Sequence, residues 1–185
     1  MHIGSLAAVP ALDRQDLLAA PVAAALASLD GSPSAAEIRV FDIGVAEIDP
    51  ALADTAAFCE RYGVAPTESA NCVIVAGRRG GETRLAACMV LATTRADVNG
   101  LVKRELDVRK ASFAPMDQAV ELTGMEYGGI TPIGLPADWP VFVDTAVADT
   151  ARVVIGSGVR RSKLTLPGAA LASLPGAVVL ESLGR

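Results

Sequence analysis

Residues 124–134 carry the clearest chemical pattern of this 185-residue chain: Gly-Met-Glu-Tyr-Gly-Gly-Ile-Thr-Pro-Ile-Gly. Four of these eleven residues are glycine and one is proline, yet apolar residues lie between them, unlike in a flexible linker. Glycine lets a ligand approach backbone N–H groups, and it permits conformations in which successive N–H groups form one concavity. The pattern therefore predicts a loop that binds an anion or an oxyanion with its main chain. The alternative is a structural turn between a helix and a strand.

Asp144 is the next candidate along the chain, because it closes the apolar run 141–143 directly after the glycine loop. Its carboxylate could orient the amino group of a substrate or the N–H groups of the loop. It could equally cap a short helix over 145–148, since Asp is a favoured N-cap residue. Both interpretations fit the sequence, and the first makes Asp144 a candidate site residue.

A second glycine turn, Gly156-Ser157-Gly158, leads into the basic residues Arg160, Arg161 and Lys163. Arginine presents a planar fork of donors that suits phosphate groups. The segment is therefore interpreted as a phosphate-contacting edge beside a pocket. A solvated strand terminus is the alternative.

Several common catalytic groups are missing from the sequence. His2 is the only histidine and lies at a terminus that tends to fray, so neither a histidine triad nor a zinc site is expected. The turn at 156–158 lacks the third glycine of a dinucleotide-binding fingerprint, because residue 161 is Arg, and no phosphate-loop pattern occurs. We expect no metal and no cofactor. Hydrolysis would have to use main-chain donors, carboxylates or a group supplied by the substrate.

Charge is divided unevenly along the chain. Residues 1–77 hold three basic and ten acidic residues, a net charge of −7, whereas residues 78–185 have a net charge of +2. The overall charge of −5 argues against tight, non-specific binding to DNA or RNA, which depends on many phosphate contacts. It leaves room for a local basic rim that guides one end of an RNA. The pairs Lys103-Arg104 and Arg109-Lys110 could extend such a rim, although a water-facing position is the favoured interpretation.

Length and composition indicate a soluble globular protein of one domain, with 51% apolar and 20% charged residues. The three cysteines include no C-x-x-C pair, which suits reduced thiols in the cytoplasm better than a disulfide framework. The apolar run 17–29 contains Pro21, is too short to span a bilayer and lacks a basic flank. We therefore expect a cytoplasmic protein without a membrane partner, in which 17–29 is an amphipathic helix.

The apolar patterns predict an α/β or α+β fold around one mixed sheet, with a helical extension at 1–35 and the main domain at 36–185. The runs 71–76 and 84–93 should pair as antiparallel strands across a polar, glycine-rich turn. The remaining strands are predicted at 38–43, 110–113, 141–143, 152–155, 162–166 and 177–180. Helices are predicted at 17–29, 54–62, 97–106, 115–123 and 167–174.

Three segments together resemble one known family. They are Gly-Met-Glu-Tyr-Gly-Gly-Ile-Thr-Pro-Ile-Gly-Leu at 124–135, Val-Phe-Val-Asp at 141–144 and Val-Ile-Gly-Ser-Gly-Val-Arg-Arg at 154–161. In order and spacing, over roughly residues 36–180, they are similar to the prolyl-tRNA-synthetase-associated editing domains, the YbaK-type aminoacyl-tRNA deacylases. The resemblance implies an α/β fold with a mixed, partly closed sheet. It also implies hydrolysis of the ester that joins a wrong amino acid to the 3′ end of a tRNA.

In that family the backbone of the glycine loop faces the scissile carbonyl, and a ribose hydroxyl of the substrate assists the attacking water. The resemblance thus makes the loop a carbonyl and oxyanion site, Asn71 a holder of the ester or ribose, and Arg160 a contact for terminal phosphates. Candidate walls of a small apolar pocket are Ile130, Ile133 and Val143. The complete set of expected site residues is Asn71, Tyr127, Gly128, Gly129, Ile130, Thr131, Pro132, Ile133, Gly134, Val143, Asp144, Gly156, Ser157, Gly158 and Arg160.

Asn71 marks a departure from the family pattern. Active members carry a Lys early in the strand that opens the core sheet, within a pattern like V-x-K-[ST]-L, and Asn71 is the residue of this chain that matches that Lys. Asn can donate a hydrogen bond to a carbonyl or ribose oxygen but carries no charge, and charge-assisted hydrogen bonds are about twice as strong. Either the specificity has moved to another aminoacyl group, or binding is retained and catalysis lost.

Three functions are consistent with these observations. The first is a trans-acting aminoacyl-tRNA deacylase that serves translation fidelity, binds the 3′ end of an aminoacyl-tRNA and can associate with an aminoacyl-tRNA synthetase. The second, favoured by Asn71, is a weak or inactive module that binds an aminoacyl or nucleotide-like ligand or a protein partner. The third is a hydrolase of small esters unrelated to tRNA, which the acidic isoelectric point permits but no motif supports.

Overall fold

The computed structural model of the protein describes residues 2–30 and 42–185. In this part of the chain the strands are β1 His2–Ile3, β2 Leu6–Ala7, β3 Val9–Pro10, β4 Gly44–Glu47, β5 Ala70–Arg79, β6 Glu82–Leu91, β7 Lys110–Phe113, β8 Val141–Asp144, β9 Val153–Gly156, β10 Ser162–Leu166 and β11 Ala177–Leu180. The α-helices are α1 Ala20–Asp30, α2 Thr55–Tyr62, α3 Lys103–Glu105, α4 Met116–Thr123, α5 Thr145–Ala148 and α6 Gly168–Ala172. Short 3₁₀ turns occupy Ala11–Leu17, Pro50–Leu52 and Pro66–Glu68, and a π-helical turn covers Val98–Val102.

The larger sheet has five strands in the order β11-β8-β6-β5-β7. Its centre is the antiparallel hairpin of β5 and β6, which pair from Ala70↔Leu91 to Arg79↔Glu82 and confirm the predicted pairing. β8 pairs with β6 and with β11 in parallel, so the sheet is mixed, as expected. β7 adds an antiparallel edge strand to the outer half of β5.

The smaller sheet has four antiparallel strands in the order β3-β4-β10-β9. Its centre is β10, whose five residues are all buried because β4 and β9 flank it on both sides. The two sheets meet at a single parallel bridge between Ser69 and Val154, just before β5 begins. Beyond this bridge the sheets separate, and the space between them is where a ligand could be held.

The N-terminal segment is built into the fold, since β3 pairs with β4 and α1 buries Val22 and Leu26 completely in the main core. Within residues 2–30 it therefore supplies strands as well as the expected helix, which begins at Ala20 rather than at residue 17. Most of the strand predicted at 38–43 lies outside the described residues. The strand found in this region is β4.

Helix boundaries follow local sequence signals. α2 ends at Gly63 and α4 at Gly124, both in left-handed conformation, as expected of C-terminal glycines. Asp97 caps the predicted helix at 97–106 by accepting hydrogen bonds from the N–H groups of Gly100 and Leu101. That helix opens with the π-helical turn, before α3.

Candidate active site

A cavity of about 250 Å³ lies where the two sheets separate at the start of β5. It is bounded by the beginnings of β5 and α2, by the glycine loop, and by β9 and β10. Both apolar and polar side chains line it, so it can hold an apolar group and bind the polar group attached to it. The lining residues are Ala53, Asp54, Thr55, Ser69, Ala70, Asn71, Cys72, Val73, Tyr127, Gly128, Ile130, Val154, Ile155, Gly156 and Lys163.

Asn71 lies in this cavity with its side chain held in one orientation. The hydroxyl of Thr55, the first residue of α2, donates a 2.7 Å hydrogen bond to the Asn71 Oδ1 atom. The amide nitrogen of Asn71 has no hydrogen-bond partner among residues 2–30 and 42–185. The Asn71 NH₂ group is therefore a fixed, unused donor at the cavity wall.

Lys163 brings a positive charge into the cavity from the smaller sheet. Only 8% of the residue is exposed, its Nζ donates a 3.0 Å hydrogen bond to the Ala53 carbonyl, and it lies 5.3 Å from the Phe58 ring centroid. It forms no ion pair with any carboxylate in the described part of the chain. An ammonium group buried without a carboxylate partner is unusual and marks a candidate functional site.

The pKa of Lys163 is lowered to about 8, chiefly by burial and to a smaller extent by the nearby Arg160 guanidinium, whereas Asp54 and Cys59 act in the opposite direction. A pKa near 8 leaves most molecules protonated at pH 7, so the cavity contains a cation in most molecules. Half of the molecules have lost this proton at about pH 8, one pH unit above neutral.

The sequence groups Lys163 with Arg160 and Arg161, as a phosphate-contacting edge beside a pocket or as a solvated strand terminus, and does not predict its burial. The alternating segment Ser-Lys-Leu-Thr-Leu puts Lys163 on the same face of β10 as Thr165, opposite Leu164. Alternation of polar and apolar residues normally indicates a strand with one face exposed to solvent. Here both faces are covered, because β10 is an inner strand of its sheet and α2 packs over it through Phe58. No signal within the segment itself reports this packing.

The first half of the glycine loop lines the cavity through Tyr127, Gly128 and Ile130. The N–H groups of Gly128 and Ile130 donate to no described residue, whereas the N–H of Gly129 is used by the Glu126 carbonyl at 2.9 Å. Two main-chain donors without an acceptor in the described part of the chain thus belong to residues that line the same cavity as Asn71 and Lys163.

The two glycine motifs of the sequence pack against each other, backbone to backbone. Gly158 N–H donates to the Gly129 carbonyl at 2.7 Å, and Glu126 N–H donates to the Gly158 carbonyl at 2.8 Å. A Cβ atom on Gly129 would lie 2.7 Å from the Val159 carbonyl oxygen, and one on Gly156 would lie 2.2 Å from the Gly129 carbonyl oxygen. These glycines are required for close approach, and Gly129 supports the loop from behind the cavity rather than lining it.

The second half of the loop turns away from the cavity into the core, so this part of the expected site is corrected. Thr131, Pro132 and Ile133 are buried, and the Thr131 N–H donates to the Met125 sulfur at 3.5 Å. Gly134 packs so closely on α1 that a Cβ atom would lie 2.5 Å from the Pro21 carbonyl oxygen. The residues that do not line the cavity are Thr131, Pro132, Ile133 and Gly134.

Val143, Ser157 and Gly158 also lie outside the cavity. Val143 is fully buried in the main core and is not among the residues that line the cavity. Ser157 is fully buried as well, and its hydroxyl lies 2.7 Å from that of Ser162. A Cβ atom on Gly158 would lie 2.4 Å from the Ala19 side chain, which leaves no room for a ligand there.

Asp144 has a structural position. Its Oδ1 accepts a hydrogen bond from Ala146 N–H at 2.8 Å and caps α5, and its Oδ2 accepts from Gly184 N–H at 2.6 Å. It is buried and is not among the residues that line the cavity. The capping alternative is therefore the one that the geometry supports.

Arg160 lies at the rim, where its guanidinium joins two segments. It donates to the Tyr127 carbonyl at 3.3 Å and to the Pro50 carbonyl at 3.2 Å, and its Nη1 lies 3.5 Å from the Asp54 carboxylate. Its backbone N–H donates to the Glu126 carboxylate at 2.6 Å. Arg160 thus ties the glycine loop to the start of α2, and a contact with substrate phosphates stays a prediction.

Cys72 is the one thiol that lines the cavity in the described part of the chain. Burial raises the pKa of its thiol well above its ordinary value, with a smaller contribution from Cys88, so it stays protonated at neutral pH. A thiolate nucleophile is therefore excluded there. Among residues 2–30 and 42–185 no cluster of His, Cys, Asp and Glu could hold a metal ion, and no helix is long and apolar enough to cross a membrane.

Comparison with known proteins identifies the family. The chain matches the sequence model described as the aminoacyl-tRNA editing domain over residues 49–174, a span that includes every residue of the cavity lining. This protein belongs to the aminoacyl-tRNA editing domain family. The resemblance noted in the three sequence segments is thereby confirmed.

Proline–tRNA ligases are the curated relatives of this editing domain. That of Listeria welshimeri serovar 6b is 36% identical over 70 residues, which is 37% of this chain but only 12% of the ligase. A solved structure described as a proposed trans-editing enzyme for prolyl tRNA synthetase matches 83% of this chain and 98% of its own, with a TM-score of 0.67 and 20% identity. A scaffold protein from a computational epitope-grafting study matches 90% of this chain and 97% of its own, with a TM-score of 0.72 and 20% identity. These structures confirm the mixed α/β fold.

Proposed function

We propose that this editing-domain protein hydrolyses, in trans, the ester bond between a wrongly attached amino acid and the 3′ end of a tRNA. One observation carries the proposal. A single cavity between the sheets collects an oriented amide donor from Asn71, a buried ammonium from Lys163 and unused main-chain N–H groups from Gly128 and Ile130. Such a set of donors suits a carbonyl oxygen that becomes negatively charged.

The chemistry needs a water, the ester and these donors. The water oxygen attacks the ester carbonyl carbon, and the negative charge on the carbonyl oxygen is stabilised by the donors of the cavity. The bond from the carbonyl carbon to the ribose oxygen then breaks, the ribose oxygen takes up a proton, and a free amino acid and tRNA result. Each fixed donor in such a site typically contributes about 10²–10³ in rate. Because histidine is absent apart from His2, we propose that the ribose hydroxyl of the substrate itself helps to deprotonate the water.

The ammonium of Lys163 is the strongest of these donors. A charged donor forms a stronger hydrogen bond to an oxyanion than the Asn71 amide does. Its burial makes the interaction stronger still, since few water molecules screen it. The Ala53 carbonyl accepts a hydrogen bond from only one of the three N–H donors of Lys163, and no other described residue accepts from this ammonium. The remaining two can bind a substrate oxygen.

The size of the cavity restricts the acyl group. Its volume of about 250 Å³ corresponds to roughly eight water molecules, enough for a small amino acid and part of the ribose. The apolar walls Val73, Ile130 and Val154 favour a small aliphatic side chain. One methylene group changes the binding free energy in such a pocket by only about 1–3 kcal/mol. A synthetase therefore discriminates weakly between similar small amino acids, and hydrolytic editing supplies the missing specificity.

Tyr127 supplies a place for the terminal base. It lines the cavity and is nevertheless 57% exposed. Aromatic side chains at the mouth of such a site bind nucleobases by stacking, which is sequence-tolerant. We propose that the 3′-terminal adenine stacks on Tyr127 while the ester enters the cavity, and that Arg160 contacts the adjacent phosphate.

The relatives suggest which tRNA to try first. The matched segments of the Listeria enzymes belong to proline–tRNA ligases, so tRNA for proline charged with a wrong, small amino acid is the leading candidate substrate. Because tRNA is charged in the cytoplasm, we propose that the protein acts there, alone or beside that ligase.

The test is a panel of tRNAs for proline and other amino acids, each charged with a radiolabelled correct or wrong amino acid, incubated with the protein. Release of a wrong amino acid from at least one tRNA, faster than the spontaneous reaction and faster than release of the correct one, is the expected result. Binding of aminoacyl-tRNA without release across the panel would instead identify a non-catalytic module. Release from short amino acid esters but from no tRNA would identify a small-ester hydrolase.

Gly129→Ala is a poor probe of catalysis here, because its Cβ would collide with the Val159 backbone and displace the loop. Asn71→Ala and Lys163→Met are preferable, since both remove a donor while they leave the loop backbone in place. Lys103→Met is the matched control for kcat, because Lys103 lies outside the cavity.

A further inference from the structure

A second groove, of about 650 Å³, lies at the opposite end of β5 from the cavity. Its lining includes four basic residues and, within the described part of the chain, no Asp or Glu. We call it the basic groove. Its charged members are Arg78, Lys103, Arg109 and Lys110, and its other lining residues include Thr83, Asn99, Ser112, Phe113 and Gln118.

The four cations of the basic groove are unpaired. None forms an ion pair with a carboxylate within residues 2–30 and 42–185. The neighbouring Arg79 and Arg84 show the contrast, since the Asp107 carboxylate is in contact with both of them. Acidic residues of this region thus neutralise the arginines beside the groove and leave those inside it uncompensated.

The register of the sheet places like charges together. Arg78 on β5 is directly opposite Lys110 on β7, and the Arg109 N–H donates to the Arg78 carbonyl at 3.0 Å. Like charges directly opposite each other destabilise a sheet. A bound anion between them would remove that repulsion, so the arrangement is understandable if the groove has an anionic ligand.

An exposed aromatic residue accompanies these cations. Phe113, the last residue of β7, lines the groove and is 57% exposed, and Met116 at the start of α4 is exposed to the same extent. Cations that contact phosphates, next to an aromatic ring on which a base or sugar can pack, are the usual composition of RNA-binding surfaces. An anionic peptide would have no need of the ring.

We infer that the basic groove binds the phosphate backbone of the tRNA acceptor stem while the 3′ end occupies the cavity. Asn71 and Arg78 lie seven residues apart on β5, which is a distance of about 23 Å along the strand. At roughly 3.4 Å per stacked nucleotide, the groove meets the RNA about seven nucleotides from its 3′ end. This lies beyond the single-stranded end and within the helical stem. The inference rests on the proposed function only for the identity of the RNA.

An edge strand also explains basic residues without any ligand. β7 is the outermost strand of its sheet, and lysine on an edge strand prevents pairing with another chain. This explanation predicts that removal of the charges affects self-association and leaves RNA affinity unchanged. The two explanations are therefore separable by experiment.

The experiment compares the wild type with Arg109→Glu/Lys110→Glu in two assays. The first measures affinity, by fluorescence anisotropy, for an uncharged acceptor-stem microhelix of about twelve base pairs that ends in CCA, at several salt concentrations. The second measures deacylation of a minimal substrate, an aminoacylated CCA trinucleotide, which is too short to reach the groove. Arg61→Glu/Arg95→Glu is the control with the same change of net charge, since neither exposed arginine lines the groove or the cavity or forms an ion pair in the described part of the chain.

We expect the groove variant to bind the microhelix about tenfold or more weakly than the wild type. The slope of its affinity against salt concentration should decrease by the equivalent of about two phosphate contacts. It should deacylate the trinucleotide at the wild-type rate. Phe113→Ala should weaken microhelix binding severalfold without a change in salt dependence. Arg109→Gln/Lys110→Gln, which keeps the residues polar, should show a smaller loss in the same direction. Thermal unfolding of each variant establishes that it is folded.

Unchanged microhelix affinity in the groove variants, or an equal loss in the control, would overturn the inference, as would equally tight binding of a polyglutamate peptide. If the protein deacylates its substrate and the groove variants bind the microhelix as tightly as the wild type does, the groove inference is refuted and the proposed function stands. Reduced microhelix affinity of a protein that deacylates no substrate supports the groove and refutes the proposed function.

Discussion

The two ends of β5 place positive charge in opposite environments. At Asn71 the strand opens into a cavity with one buried ammonium, that of Lys163. At Arg78 it borders the four cations of the basic groove, of which three are exposed and one, Lys103, is half-buried. A buried charge interacts strongly with nearby groups, and salt affects these interactions little. The interactions of exposed charges are screened within about 10 Å at 0.1 M salt. The two ends of β5 thus suit different proposed roles, the buried ammonium for the reaction and the groove cations for holding an RNA.

Lys163→Met should produce the largest effect on activity. Loss of the buried ammonium removes the strongest donor to the oxyanion. We therefore expect kcat for hydrolysis of the aminoacyl-tRNA substrate to fall about 10²–10³-fold, with little change in KM. Single-turnover release of labelled amino acid measures it. Lys103→Met, which removes a groove lysine instead, should alter KM and leave kcat unchanged. If both variants change kcat and KM in the same way, the proposed difference in role between the two ends of β5 is wrong.

Lys163 should make the stability of the protein depend on pH. The folded-state pKa of Lys163 is about 8, below the ordinary value of 10.5, so between these pH values the unfolded chain binds more protons and stability rises with pH. Relative to Lys163→Met, the wild type should gain about 2–4 kcal/mol in free energy of unfolding between pH 7 and pH 10.5. Urea denaturation at pH 7, 8, 9 and 10.5 provides the measurement. A constant difference between the two proteins would show that Lys163 titrates normally.

The pH profile of deacylation tests the form of Lys163 that is active. Because the proposal requires the ammonium, turnover corrected for spontaneous ester hydrolysis should fall about tenfold per pH unit above roughly pH 8. Lys163→Arg should keep part of the activity and lose this fall, since the guanidinium stays charged. Turnover that rises through pH 8 would mean that the neutral amine acts as a base instead.

Asn71→Ala should have the smallest of these effects, about a tenfold loss of kcat, because it removes one neutral donor. Thr55→Val should lower kcat less than Asn71→Ala does, since it removes only the hydroxyl that orients the Asn71 amide. Asn71→Lys should not raise activity, because a second ammonium would lie in the same cavity as Lys163 and repel it. A clear increase on Asn71→Lys would show that the charge of Lys163 does not reach the reacting group.

Features determined by neighbouring residues could be predicted from the sequence. The hairpin of β5 and β6, the caps at Asp97 and Gly124, and the place of Asn71 at the start of its strand all follow from local apolar patterns and turn residues. The first half of the glycine loop belongs to the same group.

Features that depend on distant segments could not be predicted. Lys163 is buried because α2 covers its strand, and Asp144 is engaged because Gly184, forty residues away, donates to it. The second half of the glycine loop turns inward because Gly134 packs on the backbone of Pro21. In each case the chain segment contains nothing that reports the partner, so sequence reasoning treated these residues as exposed or as site residues.

The backbone contact between the two glycine turns has a consequence for how such a protein can evolve. No side chain separates Gly129 from Gly156, so main-chain contact sets the position of the glycine loop beside the cavity. The apolar walls Val73, Ile130 and Val154 are side chains instead. If the proposed function is correct, changes in the volume of these walls can alter which amino acid is accepted while the loop keeps its position.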